Sequence, residues 1–112
     1  MYYRQLGNTD VQVSLISMGT MTFGEQNSYA DGAEQLAYAL DQGVNFIDTA
    51  EMYPVPPRAE TQGETERIVG RWLRESGRRK EVVLATKVTG RNPPSGDFDH
   101  LRGGSRLSRD QI

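Results

Sequence analysis

Three reactive side chains follow two short apolar runs of the sequence. The run at residues 44–47 ends in a carboxylate, Asp48, and a phenol, Tyr53, follows five residues later. The run at residues 82–86 ends in an amine, Lys87. A short apolar run closed by a polar residue is typical of a buried parallel strand, which presents that residue at one end of the sheet. The sequence therefore predicts that an acid, a phenol and an amine share one site.

The chemistry open to this set is proton donation by the tyrosine. An unperturbed phenol has a pKa of about 10, which is too high for an efficient donor near neutral pH. A neighbouring ammonium stabilises a phenolate and lowers that pKa. Lys87 would play this part for Tyr53, and Asp48 would keep the lysine charged and in position. Such a donor would protonate an oxygen that gains charge, such as that of a carbonyl reduced by hydride.

Each of these residues alone has a more ordinary interpretation. A strand-end aspartate often caps a loop, an isolated loop tyrosine is more often an anchor than an acid, and a strand-end lysine is usually solvated. The occurrence of all three, each in position, favours a site. The glycines Gly19 and Gly24 match neither the dinucleotide-binding pattern nor a phosphate-binding loop, because Glu25 stands where that loop requires a lysine.

A β-hairpin is predicted at residues 2–15, before the elements that carry the site. Two short runs are separated by Gly-Asn-Thr-Asp, which is typical of a turn. In the second run Val11, Val13 and Leu15 alternate with polar residues. This alternation predicts that the hairpin has one buried face.

Two amphipathic helices are predicted between the strands. Apolar residues recur at helical spacing in two stretches, Ala33, Leu36, Ala37 and Leu40, then Ile68, Val69, Trp72 and Leu73. Asp31 lies near the start of the first helix, and Gly43 and Gly77 stand where the two helices would end. The pair Thr61 and Glu64 matches a capping box and predicts where the second helix begins.

The order after the hairpin is strand, helix, strand, helix, strand. A loop is predicted at residues 89–107, and Ser108 with Gln111 repeats the capping-box pattern and predicts the start of a third helix. Alternation of this kind implies parallel strands joined by right-handed crossovers. We expect an α/β fold in which residues 1–112 form one partial domain, the N-terminal part of a (β/α)8 TIM barrel truncated at the third helix. Its βα units would occupy residues 16–112.

The composition excludes several classes of protein. Thirteen basic and fifteen acidic residues leave a net charge of −2, which gives no electrostatic reason to expect nucleic acid as a partner. There is no cysteine for a disulfide or thiolate metal site, and the single histidine, His100, cannot form a metal cluster alone. No apolar stretch approaches the roughly 18 residues of a spanning helix, so a soluble cytoplasmic protein without a membrane partner is the default expectation. Only 36% of the residues are hydrophobic, which is a small number of side chains for an independent core.

Several motifs along the whole chain resemble the aldo-keto reductases. They are Ile16-Ser17-Met18-Gly19-Thr20 with Met21-Thr22-Phe23-Gly24, Phe46-Ile47-Asp48-Thr49-Ala50-x-x-Tyr53, Gly63-x-x-Glu66, Gly70-x-Trp72-Leu73, and Ala85-Thr86-Lys87. The Asp-Thr-Ala-x-x-Tyr motif with a downstream Thr-Lys is specific. The run Ala-Glu-Met-Tyr-Pro-Val-Pro-Pro-Arg at residues 50–58 resembles the bacterial Tas-like subgroup in particular.

The resemblance implies an oxidoreductase that binds NADPH across the carboxyl mouth of the barrel and reduces small-molecule aldehydes or ketones. Tyr53 would be the proton donor, Lys87 its partner and Asp48 the carboxylate behind the lysine. The resemblance also implies four residues beside the nicotinamide: Gly19, Thr20, Met21 and Asp48.

Two departures from the family pattern stand out. Pro54 replaces the glycine that commonly follows the catalytic tyrosine. The family's catalytic histidine, at the end of the fourth strand, would lie beyond Ile112, and His100 in the preceding loop is no substitute. The leading hypothesis is therefore the N-terminal part of an NADPH-dependent reductase, inactive by itself. The alternative is a catalytically inactive partial barrel that acts as an interaction or structural partner.

Overall fold

The computed structural model describes all of residues 1–112. The elements in chain order are β1 at Tyr3–Gln5, β2 at Gln12–Ser14, β3 at Ser17–Gly19, α1 at Tyr29–Asp41, β4 at Phe46–Asp48, α2 at Glu64–Ser76 and β5 at Val83–Ala85, with a 3-10 turn at Arg79–Glu81. β1 and β2 form an antiparallel hairpin, and β3, β4 and β5 form a parallel sheet in that order. This confirms the α/β alternation predicted from the sequence. No helix is long and apolar enough to cross a bilayer.

The carboxyl ends of the three parallel strands meet at one edge of the sheet. Gly19 of β3 pairs with Asp48 of β4, and Asp48 pairs with Ala85 of β5. Each strand is shorter than predicted, but main-chain hydrogen bonds continue past its ends. The amide of Glu51 donates to the carbonyl of Lys87 at 3.1 Å, so the chain stays paired beyond β5.

The hydrophobic core lies between the two helices and the sheet. Its buried members are Phe23, Leu36, Leu40, Ile47, Ile68, Val69, Trp72, Leu73 and Val82. All four apolar residues predicted for the second helix are among them, as are Leu36 and Leu40 of the first. Each fully buried large side chain contributes about 1.5–3 kcal/mol relative to exposure. This packing holds β4 in place between its neighbouring strands.

α1 begins with a capping box that the sequence analysis only partly anticipated. The amide of Ser28 donates to the Asp31 carboxylate at 2.8 Å, and the amide of Asp31 donates to the Ser28 hydroxyl at 3.3 Å. The helix ends at the predicted position, where Gly43 adopts a positive φ of 86°. A Cβ there would lie 2.9 Å from both the Met1 side chain and the Tyr3 hydroxyl, so a larger residue would have to displace both.

The predicted capping box at the start of α2 is wrong. The N-cap residue is Gly63 in a left-handed conformation, with no side-chain cap. The chain turns through a main-chain bond instead, from the Glu64 amide to the Thr61 carbonyl at 2.9 Å. The Thr61 hydroxyl is therefore buried without a hydrogen-bond partner. Gly77 ends the helix as predicted.

The predicted buried face of the hairpin is also wrong in part. Val13 is buried, but Val11 and Leu15 are 38% and 56% exposed. The hairpin is held by polar contacts rather than by a continuous apolar face. The amide of Ser14 donates to the Asn45 side chain at 2.8 Å, which ties β2 to the residue before β4.

The segment after β5 forms the predicted long loop, with turns but no helix or strand. At its end the amides of Gln111 and Ile112 donate to the Ser108 carbonyl, which forms a single turn. The second capping box is not formed, because the Gln111 side chain accepts from the Arg106 amide at 2.7 Å.

Candidate active site

The structure brings Asp48, Lys87 and Tyr53 together at the carboxyl edge of the sheet. The Lys87 Nζ lies 2.7 and 2.8 Å from the two carboxylate oxygens of Asp48, and 2.7 Å from the carbonyl oxygen of Thr49. It also lies 5.0 Å from the centre of the Tyr53 ring. All three ammonium protons thus have an acceptor, and charge-assisted bonds of this length are strong.

Local structure accounts for this convergence. Asp48 is the last residue of β4, and Lys87 follows its partner Ala85 by two residues, which puts both side chains on the same side of the strand. After β4 the chain turns back, with the Tyr53 amide donating to the Ala50 carbonyl at 3.1 Å. The turn returns the phenol to the edge of the sheet that carries the ion pair.

The lysine is held in its charged form. Burial works against the charge, but the hydrogen bond to Asp48 and the attraction of that carboxylate outweigh it and raise the pKa of Lys87 above its ordinary value. The side chains of Lys87 and Asp48 remain 47% and 39% exposed, so the pair is open to solvent and to a ligand.

The residues expected beside a nicotinamide divide into two kinds. Gly19 has no atom within 4 Å of the position that a Cβ would occupy, and Met21 is 49% exposed. Thr20 is fully buried, and its hydroxyl donates to the Asp48 carbonyl at 2.8 Å. Gly19 and Met21 therefore border open space, whereas Thr20 fixes the strand end that carries Asp48.

Two contacts join the loop after β3 to the loop after β4, on the residues that follow Tyr53. The amide of Val55 donates to the carbonyl of Met21 at 3.0 Å. One Arg58 nitrogen contacts both carboxylate oxygens of Glu25. Pro54, the departure from the family pattern, is fully buried. The proline-rich run after Tyr53 thus forms a wall that is joined to the loop after β3.

Sequence reasoning missed a second polar cluster, centred on Glu51. Its carboxylate accepts from the Thr89 amide at 2.8 Å and pairs with Arg102. Its carbonyl accepts from the Gln62 side chain, whose oxygen lies 3.0 Å from His100 Nε2. The only available signal was a second carboxylate within the Asp-Thr-Ala-x-x-Tyr motif, at a position that the motif leaves open. His100 thus lies in the long loop, where the sequence analysis put it, and contacts this cluster through Gln62.

Comparison with known proteins places the chain in a family. The aldo/keto reductase family model matches residues 15–109. The protein tas of Escherichia coli is 49% identical over 112 residues, which is 100% of this chain and 32% of that protein. A probable voltage-gated potassium channel subunit beta of Arabidopsis thaliana is 36% identical over 99 residues, 87% of this chain and 28% of the relative.

A solved structure agrees with the sequence comparison. The holo form of the aldo-keto reductase AKR11C1 from Bacillus halodurans superposes with a TM-score of 0.65 at 34% identity, covering 86% of this chain and 28% of that one. The chain thus spans about a third of the length of the relatives it matches. The matched stretch contains every residue of the Asp48, Lys87 and Tyr53 cluster. The chain belongs to the aldo/keto reductase family.

Proposed function

We propose that this chain supplies the proton-donating part of the active site of an NADPH-dependent carbonyl reductase. The observation that carries the proposal is the Lys87 ammonium, held by three oxygen atoms and facing the Tyr53 ring at 5.0 Å. A fixed cation beside a phenol is the arrangement that favours loss of the phenol proton.

Each residue then has one role in the reaction. The Tyr53 hydroxyl gives its proton to the oxygen of the carbonyl group as that oxygen gains charge, and the C=O becomes C–OH. The phenolate that remains lies beside the Lys87 ammonium. Asp48 holds the ammonium in place through two hydrogen bonds at 2.7 and 2.8 Å. General acid catalysis of this kind contributes about 10²–10⁴-fold to a rate.

The end of β3 would receive the nicotinamide ring in this proposal. A reduced nicotinamide, when bound, supplies the hydride for carbonyl reduction. The open space over Gly19 and the exposed side chain of Met21 would hold that ring next to Asp48. Thr20 would act from below, by fixing the main chain of Asp48.

The substrate class in this proposal is small aldehydes and ketones. In this proposal the carbonyl reaches Tyr53 past the wall that Val55 and Arg58 form with the loop after β3. That wall is joined by a main-chain bond and an ion pair, so it would limit the size of the group next to the carbonyl. The proline-rich run would give this chain an entrance of a different shape from that of relatives with glycine after the tyrosine.

The competing hypothesis is an interaction role without catalysis. One relative is described as a probable voltage-gated potassium channel subunit beta, a name that refers to assembly with another protein. The two hypotheses differ over the ion pair. Reduction requires a charged amine at Lys87, whereas an interaction surface elsewhere on the chain does not.

The test places residues 1–112 before the remaining two thirds of the Escherichia coli tas protein, in what we term the hybrid. NADPH oxidation is followed with a panel of aldehydes and ketones. Lys87→Met should reduce the rate at least 100-fold, since it removes the cation but keeps a side chain of similar length. Lys80→Met, at the chain's other lysine, is the matched control. Rates in Lys87→Met that equal those of Lys80→Met and of the active parent hybrid would refute the proposed function.

A further inference from the structure

Glu51 makes one hydrogen bond to the main chain on each side of Val88, and we call this pair of bonds the Glu51 clasp. Its amide donates to the Lys87 carbonyl at 3.1 Å, and its carboxylate accepts from the Thr89 amide at 2.8 Å. The two bonds bracket Val88 and continue the β4–β5 pairing where the strands themselves have ended. They fix the backbone from which the lysine side chain extends.

The charge of the Glu51 carboxylate is neutralised by an ion pair, and the carboxylate is largely shielded from solvent. Arg102 from the long loop pairs with it, and the two side chains are only 31% and 28% exposed. Thr89 itself is 3% exposed, so water has little access to its amide. A buried amide without an acceptor is unfavourable, so loss of the carboxylate would displace this segment until the Thr89 amide found another acceptor or water.

We propose that Glu51 is a positioning residue of the site, which aims the Lys87 ammonium at Asp48 and Tyr53 through its bond to the Thr89 amide. This inference rests on the proposed function. Glu51 itself does not touch the reacting atoms. Arg102 neutralises the carboxylate and holds the long loop against the same point.

The size of the effect follows from how sensitive such sites are to position. A shift of about 1 Å in a catalytic group can cost on the order of 10²-fold in rate. The bonds between the lysine and Asp48 are already at optimal length, so a shifted backbone at Thr89 would lengthen them. The rate of reduction would fall while the nicotinamide surface at Gly19 and Met21 stayed intact.

Three substitutions separate positioning from a general structural role. Glu51→Gln keeps an oxygen that accepts from the Thr89 amide but loses the charge that pairs with Arg102. Glu51→Asp keeps the charge but is one methylene too short to reach the amide. Glu51→Ala loses both. Glu75→Ala removes a glutamate that accepts from Arg71 and from the Tyr29 hydroxyl, and it is the matched control because these bonds involve neither the site nor the long loop.

The first readout does not depend on catalysis. Hydrogen exchange of the Thr89 amide is measured in the hybrid and its variants. Exchange should be at least about 10-fold faster in the Asp and Ala variants and close to the parent rate in Glu51→Gln and Glu75→Ala. Equal protection in all variants would overturn the assignment of the Thr89 bond to Glu51, whether or not the hybrid is a reductase.

The second readout is kinetic. In Glu51→Ala and Glu51→Asp we expect kcat to fall about 10–100-fold with the Kd for NADPH within about twofold of the parent. Glu51→Gln should recover most of kcat. A Gln variant as impaired as the Ala variant would overturn the proposal in favour of the Arg102 ion pair. A fall in NADPH-binding stoichiometry that matches the fall in kcat would show loss of folded protein instead of positioning and would overturn it too.

Discussion

The Lys87 ammonium donates to both carboxylate oxygens of Asp48, at 2.7 and 2.8 Å, although 39 positions separate the two residues in the chain. The whole of α2 lies between them. The pair therefore forms only when β4 and β5 are parallel neighbours in the observed register. Its formation links the fold of this chain directly to its chemistry.

The ion pair should stabilise the fold in a pH-dependent way. The pKa of Lys87 is raised by the hydrogen bond and charge of Asp48, which outweigh burial. A raised pKa means that the contribution is fully present below the ordinary lysine value of about 10.4 and is lost as pH rises through the folded-state value. The difference in unfolding free energy between the hybrid and its Asp48→Asn variant should be constant from about pH 7 to 10 and shrink above that.

Denaturant titrations at several pH values measure this difference. A comparison of parent and variant at the same pH removes the contribution of the other titrating groups. A difference that stays constant to about pH 12 would contradict the assignment.

Replacement of Thr61 by valine tests the corrected start of α2. The Thr61 hydroxyl is buried without a partner, so its loss should leave the unfolding free energy unchanged or raise it by up to about 1 kcal/mol. If the hydroxyl were a cap, the same change would lower stability by about 1 kcal/mol. Ser28→Ala at the capping box of α1 is the control and should show that loss.

The sequence was sufficient for the parts of the site that lie at strand ends. Asp48 and Lys87 each close an apolar run, and parallel strands put such residues at one edge whatever their exact length. The Glu51 clasp could not be found in this way. It depends on how the long loop after β5 folds back, and no periodic pattern records that path.

Two of the predictions that the structure corrects rested on local sequence patterns, which do not determine the contacts around them. At the start of α2, the Glu64 amide bonds to the main-chain carbonyl of Thr61 and not to its hydroxyl. The helix begins after Gly63, which adopts the left-handed conformation that a glycine readily takes. In the hairpin, alternation predicted which side chains share a face but not whether anything covers that face. Val11 and Leu15 remain exposed.

The 112-residue chain by itself should not behave as a stable monomer. β3 and β5 each pair only with β4, so each leaves one strand edge free, and Leu15 and Ile16 are 56% and 61% exposed. Free edges and exposed apolar side chains favour association between copies. Sedimentation should show self-association or an expanded state. An assay of the same sample should show no NADPH oxidation. A monomer with a cooperative unfolding transition and micromolar NADPH affinity would contradict this expectation.

Substitution of Tyr53 by phenylalanine tests the central claim most directly. The change removes only the hydroxyl that would donate the proton and keeps a ring beside Lys87. In the hybrid, fluorescence titration should give an NADPH Kd within about twofold of the parent, while kcat for carbonyl reduction falls about 10²–10⁴-fold. Tyr38→Phe, at an exposed tyrosine on α1, should leave both values unchanged. Undiminished turnover in Tyr53→Phe would contradict the assignment of this tyrosine as the proton donor.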